Sequence, residues 1–162
     1  MSGRGAMAGR GWRAALVLAT TVVALDQAVK AVVRDSIQPG ERIDLVFGIE
    51  LVRVSNEGIA FGLLGDGGTL VLAITIVALA AMLVWFALSP TTGGVWIAIG
   101  LLAGGALGNL IDRLRLDGVT DFIDPPLWPA FNIADIAITF GAVALVLTVF
   151  WGEADTPEPK AG

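Results

Sequence analysis

Acidic side chains interrupt a mostly apolar sequence at a few places, and two of them could form an acid–base pair. Asp121 lies in the segment Val-Thr-Asp-Phe (119–122), and Asp135 lies in Phe-Asn-Ile-Ala-Asp (131–135). Two carboxylates in a partly desolvated site cannot both ionise easily, so one keeps its proton while the other stays anionic. Such a pair can take a proton from a water that attacks a peptide carbonyl and then protonate the leaving amine, with no covalent intermediate.

Asp135 also has a purely structural interpretation. It follows Asn132 by three residues at the start of an apolar run. Asn132 could be the N-cap of a helix and Asp135 its N3 residue, held by a capping box and by the helix dipole. The sequence leaves both interpretations of Asp135 open.

The absence of histidine and cysteine narrows the remaining chemistry. It excludes disulfides, thiolate nucleophiles, zinc sites of the usual kind and triads that depend on a histidine. We expect no metal and no cofactor. The formal charge of −5 comes from scattered carboxylates and an acidic tail, so we expect no nucleic acid partner.

Two other polar groups of residues interrupt apolar stretches. Asp26 lies inside an apolar run with Lys30 one turn later, which favours either a functional site or an ion pair within a helix bundle. Asn109, Asp112 and Arg113 are three and four residues apart and would share a helix face, where the arginine could hold a carboxylate. The alternative is a polar helix end that meets water.

Four stretches have the length and composition to position these residues in a membrane. The chain is 56% apolar and 15% charged, against about 25% charged residues in soluble domains. A bilayer crossing needs about 20 apolar residues. Spans are predicted at about 12–33, 69–88, 95–111 and 133–151. Asp121 would then lie in the short loop after the third span, and Asp135 in the first turn of the fourth.

The third span carries Gly100, Gly104 and Gly108 four residues apart, a spacing that lets another helix approach closely.

Between the first two spans, residues 36–68 include the alternating stretch 49–54, which predicts short strands. We therefore expect a small β platform outside the helix bundle.

The two ends of the chain are distinct from the predicted bundle. The basic N-terminal segment favours cytoplasmic termini, with residues 36–68 on the outer side. A secretory signal peptide is the alternative for this segment. Residues 1–152 are predicted to form one membrane-embedded domain, and residues 153–162 a disordered acidic tail.

The polar motifs together resemble a known family, the bacterial lipoprotein signal peptidases, also called signal peptidase II. The resemblance covers roughly residues 12–151 and keeps the motif order. It rests on the following ordered set: Asp26-Gln27 with Lys30, Asn56-x-Gly58-x-Ala60-Phe61, Gly105-x-x-Gly108-Asn109-x-x-Asp112-Arg113, Val119-x-Asp121-Phe122 and Phe131-Asn132-x-Ala134-Asp135.

The resemblance implies an aspartic endopeptidase that removes the signal peptide from prolipoproteins, cutting before a diacylglyceryl cysteine. Asp121 and Asp135 would form its catalytic dyad. It also implies a four-transmembrane-helix bundle with an extracytoplasmic β-cradle, a multi-pass protein of the bacterial inner membrane. The enzyme would be monomeric, in contact with membrane lipid, with its active site near the outer face and inhibited by globomycin.

The remaining polar residues of the motifs would bind substrate or support the dyad. They are Asp26, Lys30, Asn56, Gly58, Asn109, Asp112, Arg113 and Asn132. Asp112 is the aspartate most easily mistaken for a catalytic one, because its neighbour Arg113 offers it an ion pair.

Three rival functions remain. A serine–lysine hydrolase would use Ser36 or Ser55 with Lys30. A small transporter could relay protons through aspartates. A non-catalytic scaffold is the third.

Overall fold

The computed structural model describes residues 2–56, 67–88, 94–116 and 118–152. It contains four long helices and one three-stranded sheet. The helices are α1 (Ser2–Ser36), α2 (Gly67–Leu88), α3 (Val95–Leu116) and α4 (Ile133–Gly152), and the strands are β1 (Arg42–Asp44), β2 (Glu50–Asn56) and β3 (Val119–Asp124).

Among the residues that the structure describes, two helices are long and apolar enough to cross a bilayer by length and composition, namely the stretch Gly9–Ser36 of α1 and the whole of α3. The apolar stretches Ile76–Leu88 and Ile133–Thr148, in α2 and α4, are shorter. Large apolar side chains on all four helices are exposed, which suits helices that contact lipid.

Helix α3 lies between α1 and α4, and its glycines set the spacing. A Cβ atom placed on Gly104 would lie 2.7 Å from Cβ of Val22, and one on Gly105 would lie 2.4 Å from the carbonyl oxygen of Ala134. Bare backbone on both sides of α3 therefore lets α1 and α4 approach closely, as the glycine spacing predicts for one face.

The sheet is antiparallel in the order β1-β2-β3, and it covers the end of α1. Phe122 of β3 packs with Val33 of α1 and with Ile37, which directly follows α1, in a buried apolar cluster. Arg53 of β2 donates hydrogen bonds to the carbonyl oxygens of Arg34 (2.8 Å) and Ile37 (3.3 Å). These bonds satisfy carbonyls that the last turn of a helix leaves without partners.

The strand expected near 49–54 is present as β2, whereas helix boundaries and the place of Asp121 differ from the prediction. Helix α1 extends to Ser36 and α3 to Leu116, beyond the apolar stretches, because helices continue past the apolar part of a span into polar surroundings. Asp121 lies in strand β3 and not in a loop. Residues 57–66 and the tail 153–162 lie outside the described residues.

Candidate active site

Lys30 is the centre of a buried polar cluster between α1 and α3. Its Nζ lies 2.8 Å from Oδ2 of Asp26, 3.2 Å from Oδ2 of Asp112 and 2.9 Å from Oδ1 of Asn109. The side chains of the lysine and both aspartates are 0 to 1% exposed. The ammonium thus has three partners for its three protons, which is how a buried charge is tolerated.

Asp26 joins the first helix to the start of the last one. Its Oδ1 accepts a hydrogen bond from the backbone N–H of Ala134 at 3.0 Å. That N–H is one of the four at the start of α4 that have no partner within the helix. A Cβ atom on Gly108 would lie 2.7 Å from Oδ2 of Asp26, so the glycine makes room for this carboxylate.

Asp112 fixes the backbone next to Asp121. Its Oδ2 accepts the backbone N–H of Thr120 at 3.0 Å, and its Oδ1 accepts a hydrogen bond from Nε2 of Gln27 at 3.0 Å. Arg34 donates to Oγ1 of Thr120 at 3.1 Å and lies 3.8 Å from Oδ1 of Asp112. The residue before Asp121 is therefore held by both its backbone and its side chain.

The expected ion pair between Asp112 and Arg113 is wrong. The cationic partners of Asp112 are Lys30 and Arg34. Adjacent residues on an α-helix point about 100° apart, so neighbours in sequence do not face each other. Arg113 is half-buried, donates to the carbonyl oxygen of Asn109 at 3.5 Å, and lies within electrostatic range of Asp135, Asp121 and Asp112 without a direct ion pair to Asp112.

Asp121 is buried in β3 and accepts two side-chain amide hydrogen bonds. Nδ2 of Asn132 donates to its Oδ1 at 2.6 Å, and Nδ2 of Asn56 donates to its Oδ2 at 2.9 Å. Burial raises the pKa of Asp121 to about 6, and the charge of Asp135 acts in the same direction. The hydrogen bonds from both asparagines and the charge of Lys30 oppose this shift. The carboxylic acid form of Asp121 is thus accessible near neutral pH.

Asp135 belongs to a capping box and also faces the cluster. Its backbone N–H donates to Oδ1 of Asn132 at 3.0 Å, and its Oδ2 accepts the N–H of Asn132 at 3.2 Å. Its Oδ1 accepts a hydrogen bond from Nδ2 of Asn109 at 2.8 Å. The structural interpretation of Asp135 is therefore correct, and it coexists with proximity to Asp121.

Asn132 is the residue that links the two aspartates. It is fully buried, its Nδ2 donates to Oδ1 of Asp121, and its Oδ1 accepts the backbone N–H of Asp135, whose carboxylate accepts from Nδ2 of Asn109. The same Nδ2 donates to Oδ1 of Asn109 at 3.1 Å, which connects this pair to Lys30. The two acidic side chains are thus held by one continuous hydrogen-bond network.

A groove of about 280 Å³ opens beside Asp135 along the outer surface of α4. Apart from the aspartate and a threonine its lining is apolar. The lining residues are Trp128, Phe131, Asp135, Ile136, Thr139 and Phe140. An extended apolar chain placed in this groove would reach the carboxylate of Asp135.

The structure brings together most of the polar residues predicted from the sequence. Asp26, Lys30, Asn109, Asp112, Asn132 and both dyad candidates lie in one network, to which Asn56 is joined through Asp121. Gly58 lies outside the described residues. In the part of the chain that the structure describes, no group of three or more acidic side chains is placed to hold a metal ion.

Gln27, Arg34 and Thr120 also contribute to the network, although the sequence analysis assigned them no role. A signal for Arg34 was present in the sequence. Asp26, Lys30 and Arg34 are spaced four residues apart and so share one face of α1. Thr120 gives no comparable signal, because both of its contacts, through the backbone N–H and through Oγ1, depend on the tertiary fold.

The contacts of Lys30 bear on the rival functions. Its Nζ contacts Asp26, Asp112 and Asn109, whereas the serines proposed for a serine–lysine pair, Ser36 and Ser55, are exposed. A nucleophile–base pair requires direct hydrogen bonding. These positions therefore give no support to a serine–lysine mechanism.

Known proteins resemble the chain over most of its length. The family model of signal peptidase (SPase) II matches residues 18–151. A lipoprotein signal peptidase of Halothermothrix orenii is 37% identical over 138 residues, which cover 85% of this chain and 95% of that protein. A lipoprotein signal peptidase of Moorella thermoacetica is 41% identical over 132 residues, covering 80% of this chain and 88% of that protein.

A solved structure described as a bacterial membrane enzyme has a similar fold. It superposes with a TM-score of 0.78 at 30% sequence identity, covering 91% of this chain and 94% of that one. A second structure with the same description has a TM-score of 0.77 at 32% identity. The sequence relatives and the fold neighbours therefore each cover most of the chain.

Proposed function

The chain belongs to the signal peptidase II family of aspartic proteases, and we propose that it cuts diacylglyceryl-modified prolipoproteins before the lipidated cysteine with Asp121 and Asp135 as its catalytic dyad. The observation that carries this proposal is that two buried asparagine amides join the carboxylates: Nδ2 of Asn132 donates to Asp121 and to Oδ1 of Asn109, and Nδ2 of Asn109 donates to Oδ1 of Asp135. A purely structural acid would need no second acid tied to it in this way. The groove beside Asp135 adds access for a substrate.

The two aspartates take different roles in the proposed reaction. Asp121, whose pKa burial raises to about 6, carries the shared proton and donates it to the carbonyl oxygen of the scissile peptide. Asp135 takes a proton from the attacking water. As the C–N bond of the tetrahedral intermediate breaks, the amine takes the proton that Asp135 received from water, and a hydroxyl group of the intermediate returns its proton to Asp121, which leaves the carboxyl product and restores the dyad. The pair titrates as a unit, so its apparent pKa values belong to both residues.

The other polar residues would position the dyad or hold the substrate. Lys30 and Asp26 hold α4 in place, and Asp112 holds the strand that carries Asp121. Asn109 bonds to Asp135, and Asn56 bonds to Asp121. We propose that Gly58 and Arg113 contribute to substrate binding.

In the proposed arrangement, all four helices span the bacterial inner membrane and the sheet forms an outer β-cradle above the site. The strands follow α1 and α3, so the sheet and the dyad lie at the same end of the helices, which is the outer end in this arrangement. The N-terminus of α1 and the C-terminus of α4 are then at the opposite, cytoplasmic end. The basic segment before the first span supports this orientation. The protein would act as a monomer within membrane lipid, with residues 153–162 dispensable.

The groove beside Asp135 suits the acyl chains of the modified cysteine, because its apolar lining runs along the exposed face of α4. Exposed residues on that face include Ile136 and Phe140. A diacylglyceryl group in the membrane could enter the groove sideways and bring its cysteine to the aspartates. Globomycin would compete for the same site.

The test is cleavage of a prolipoprotein by the purified protein in lipid nanodiscs. Products would be identified by mass spectrometry with the same precursor in two forms, with and without the diacylglyceryl group. The proposal predicts one cut immediately before the modified cysteine, little cleavage of the unmodified form, and inhibition by globomycin. Equal cleavage of both forms, or a cut elsewhere, would contradict it.

The topology and assembly state have separate tests. The chain contains no cysteine, so a single Ser2→Cys variant can be labelled with a membrane-impermeant maleimide in intact cells and in lysed cells. Labelling only after lysis is expected for a cytoplasmic N-terminus, and labelling of intact cells would contradict it.

A mass of one chain per nanodisc is expected for the active form, and removal of residues 153–162 should leave activity intact.

A further inference from the structure

Two loops at the sheet end of the molecule carry large apolar side chains exposed to the surroundings. One loop joins β1 to β2, and the other precedes α4. Together they form the tip surface, which consists of Leu45, Val46, Phe47, Leu127 and Trp128. Phe47 is 95% exposed and Leu127 is 96% exposed. Single exposed apolar residues are common on proteins, but five on two adjoining loops form a patch.

The two loops are in contact. A Cβ atom placed on Gly48 would lie 3.2 Å from Cγ of Pro126. The second loop is closed at its base by hydrogen bonds between Ile123 and Phe131, with an N···O distance of 2.9 Å in each direction. Both apolar tips are therefore held on ordered backbone and brought side by side.

The backbone at Phe47 adds a second, independent observation. Phe47 and Gly48 both have positive φ angles, of 57° and 75°, and the N–H of Ile49 bonds to the carbonyl oxygen of Val46 at 3.1 Å. Turns with two positive φ angles favour Asn-Gly, whereas a bulky side chain in the left-handed region is an outlier. An exposed phenylalanine here is unfavourable for the fold, which indicates that its side chain serves an interaction outside the chain.

The tip surface is continuous with the lipid-facing surface of α4. Trp128 lines the same groove as Ile136 and Phe140, both of which are exposed on that helix. Phe140 is seven residues after the start of α4, about 10 Å along its axis. The loop before α4 therefore folds back beside the first two turns of the helix, at a depth that lies within the membrane if α4 spans it.

We propose that the tip surface inserts into the outer leaflet of the bilayer and anchors the sheet to the membrane beside the active site. Tryptophan is typical of the headgroup region, and leucine, valine and phenylalanine suit the acyl chains below it. Arg42 next to the hairpin pairs with both Glu50 and Asp124, which lowers the cost of bringing these charges near lipid, and the exposed Asp44 at the base of the hairpin would stay at the level of the headgroups. The partner is the lipid surface itself and not a second protein.

The experiment uses the absence of cysteine to place one spin label at a time in the full chain. The variants are Phe47→Cys, Leu127→Cys and, as a matched control, Gln38→Cys, which is exposed at the opposite end of β1. Each labelled protein is placed in nanodiscs of phosphatidylethanolamine and phosphatidylglycerol without substrate. Power saturation then compares collisions with oxygen, which enters bilayers, and with a nickel chelate, which stays in water.

The labels at 47 and 127 should collide with oxygen at least several-fold more than with the nickel chelate, relative to the label at 38. Nickel accessibility equal to that of the control would overturn the proposal. Protection from both reagents would indicate contact with protein and would also overturn it. Phe47→Cys changes the strained turn whereas Leu127→Cys does not, so the second variant decides the outcome if the first fails to fold.

Discussion

Removing the hydrogen bond between Asn56 and Asp121 should move the alkaline limb of activity to higher pH. Nδ2 of Asn56 lies 2.9 Å from Oδ2 of Asp121, and this bond lowers the pKa of an aspartate that burial has raised to about 6. In the proposed mechanism Asp121 acts as the acid, so activity falls as it loses its proton above that pKa. Asn56→Ala removes a stabiliser of the charged form and should raise the pKa of Asp121.

The size of the shift follows from the strength of the bond. A hydrogen bond to a charged group contributes about 1.5 kcal/mol at the low end of its range. One pKa unit corresponds to about 1.4 kcal/mol. The midpoint of the alkaline limb should therefore move up by about one unit, from near pH 6 to near pH 7. Loss of substrate contacts would lower the rate at every pH without moving this midpoint.

The assay is the pH dependence of kcat/KM with a fluorogenic lipopeptide that carries the diacylglyceryl cysteine. The matched control is Ser55→Ala, which changes the exposed neighbour of Asn56 on the same strand. Its limb should coincide with that of the wild type. An unchanged limb in Asn56→Ala, or a shift to lower pH, would refute the assignment of Asp121 as the acid.

Two further substitutions test the interior of the bundle. Lys30→Met would leave Asp26 and Asp112 buried at 0 and 1% exposure without their shared cation, and should destabilise the protein by about 3 to 5 kcal/mol, measured as a lower melting temperature in nanodiscs. Gly105→Ala would place a methyl group 2.4 Å from the carbonyl oxygen of Ala134, a backbone atom that cannot rotate away. This substitution should lower the free energy of unfolding by at least about 1 to 3 kcal/mol. It should also displace α4 and so abolish activity.

Each of these substitutions has a control or a contrary outcome. A Cβ atom on Gly9 would meet nothing within 4 Å, so Gly9→Ala should leave the melting temperature unchanged. If Gly105→Ala melted with the control, the close approach of α3 and α4 would be contradicted. If Lys30→Met were as stable as the wild type, the buried pairs would not hold the bundle together.

The apolar segments and most of the site residues could be predicted from the sequence because they depend on local patterns. A long uncharged run such as 69–88 and a glycine every fourth residue are visible without any tertiary contact. The capping box at Asn132 and Asp135 is equally local, since it needs only residues three apart. The i, i+4 ion pair of Asp26 and Lys30 is one of the two interpretations that the sequence offers, for the same reason.

Strand β3 could not be predicted in this way. Residues Val119 to Phe122 are all buried, and two of these four are polar, so the strand lacks the alternation of apolar and polar residues that indicates a half-buried strand. Its pairing with β2 joins residues about 65 apart in sequence, as for Val54 and Asp121. Such a pairing depends on the packing of α1 and α3 and has no local signal.

The partners of Asp112 illustrate the same limit. The sequence places Arg113 beside it, but helix geometry turns adjacent side chains apart. Its actual partners, Lys30 and Arg34, lie about 80 residues away on another helix. Their identity depends on the register of α1 against α3, which the glycines permit but do not specify.

The central claim is that Asp121 and Asp135, and no other acidic residues, carry out the cleavage. The most direct test compares kcat/KM for Asp121→Asn, Asp135→Asn and Asp112→Asn, with the exposed Asp44→Asn as control and melting temperatures to verify folding. The first two should lose at least about a hundredfold in rate, as expected for removal of a general acid or base. Asp112→Asn should keep measurable activity, and Asp44→Asn should match the wild type. A folded Asp121→Asn or Asp135→Asn protein that cuts within about tenfold of the wild-type rate would contradict the account.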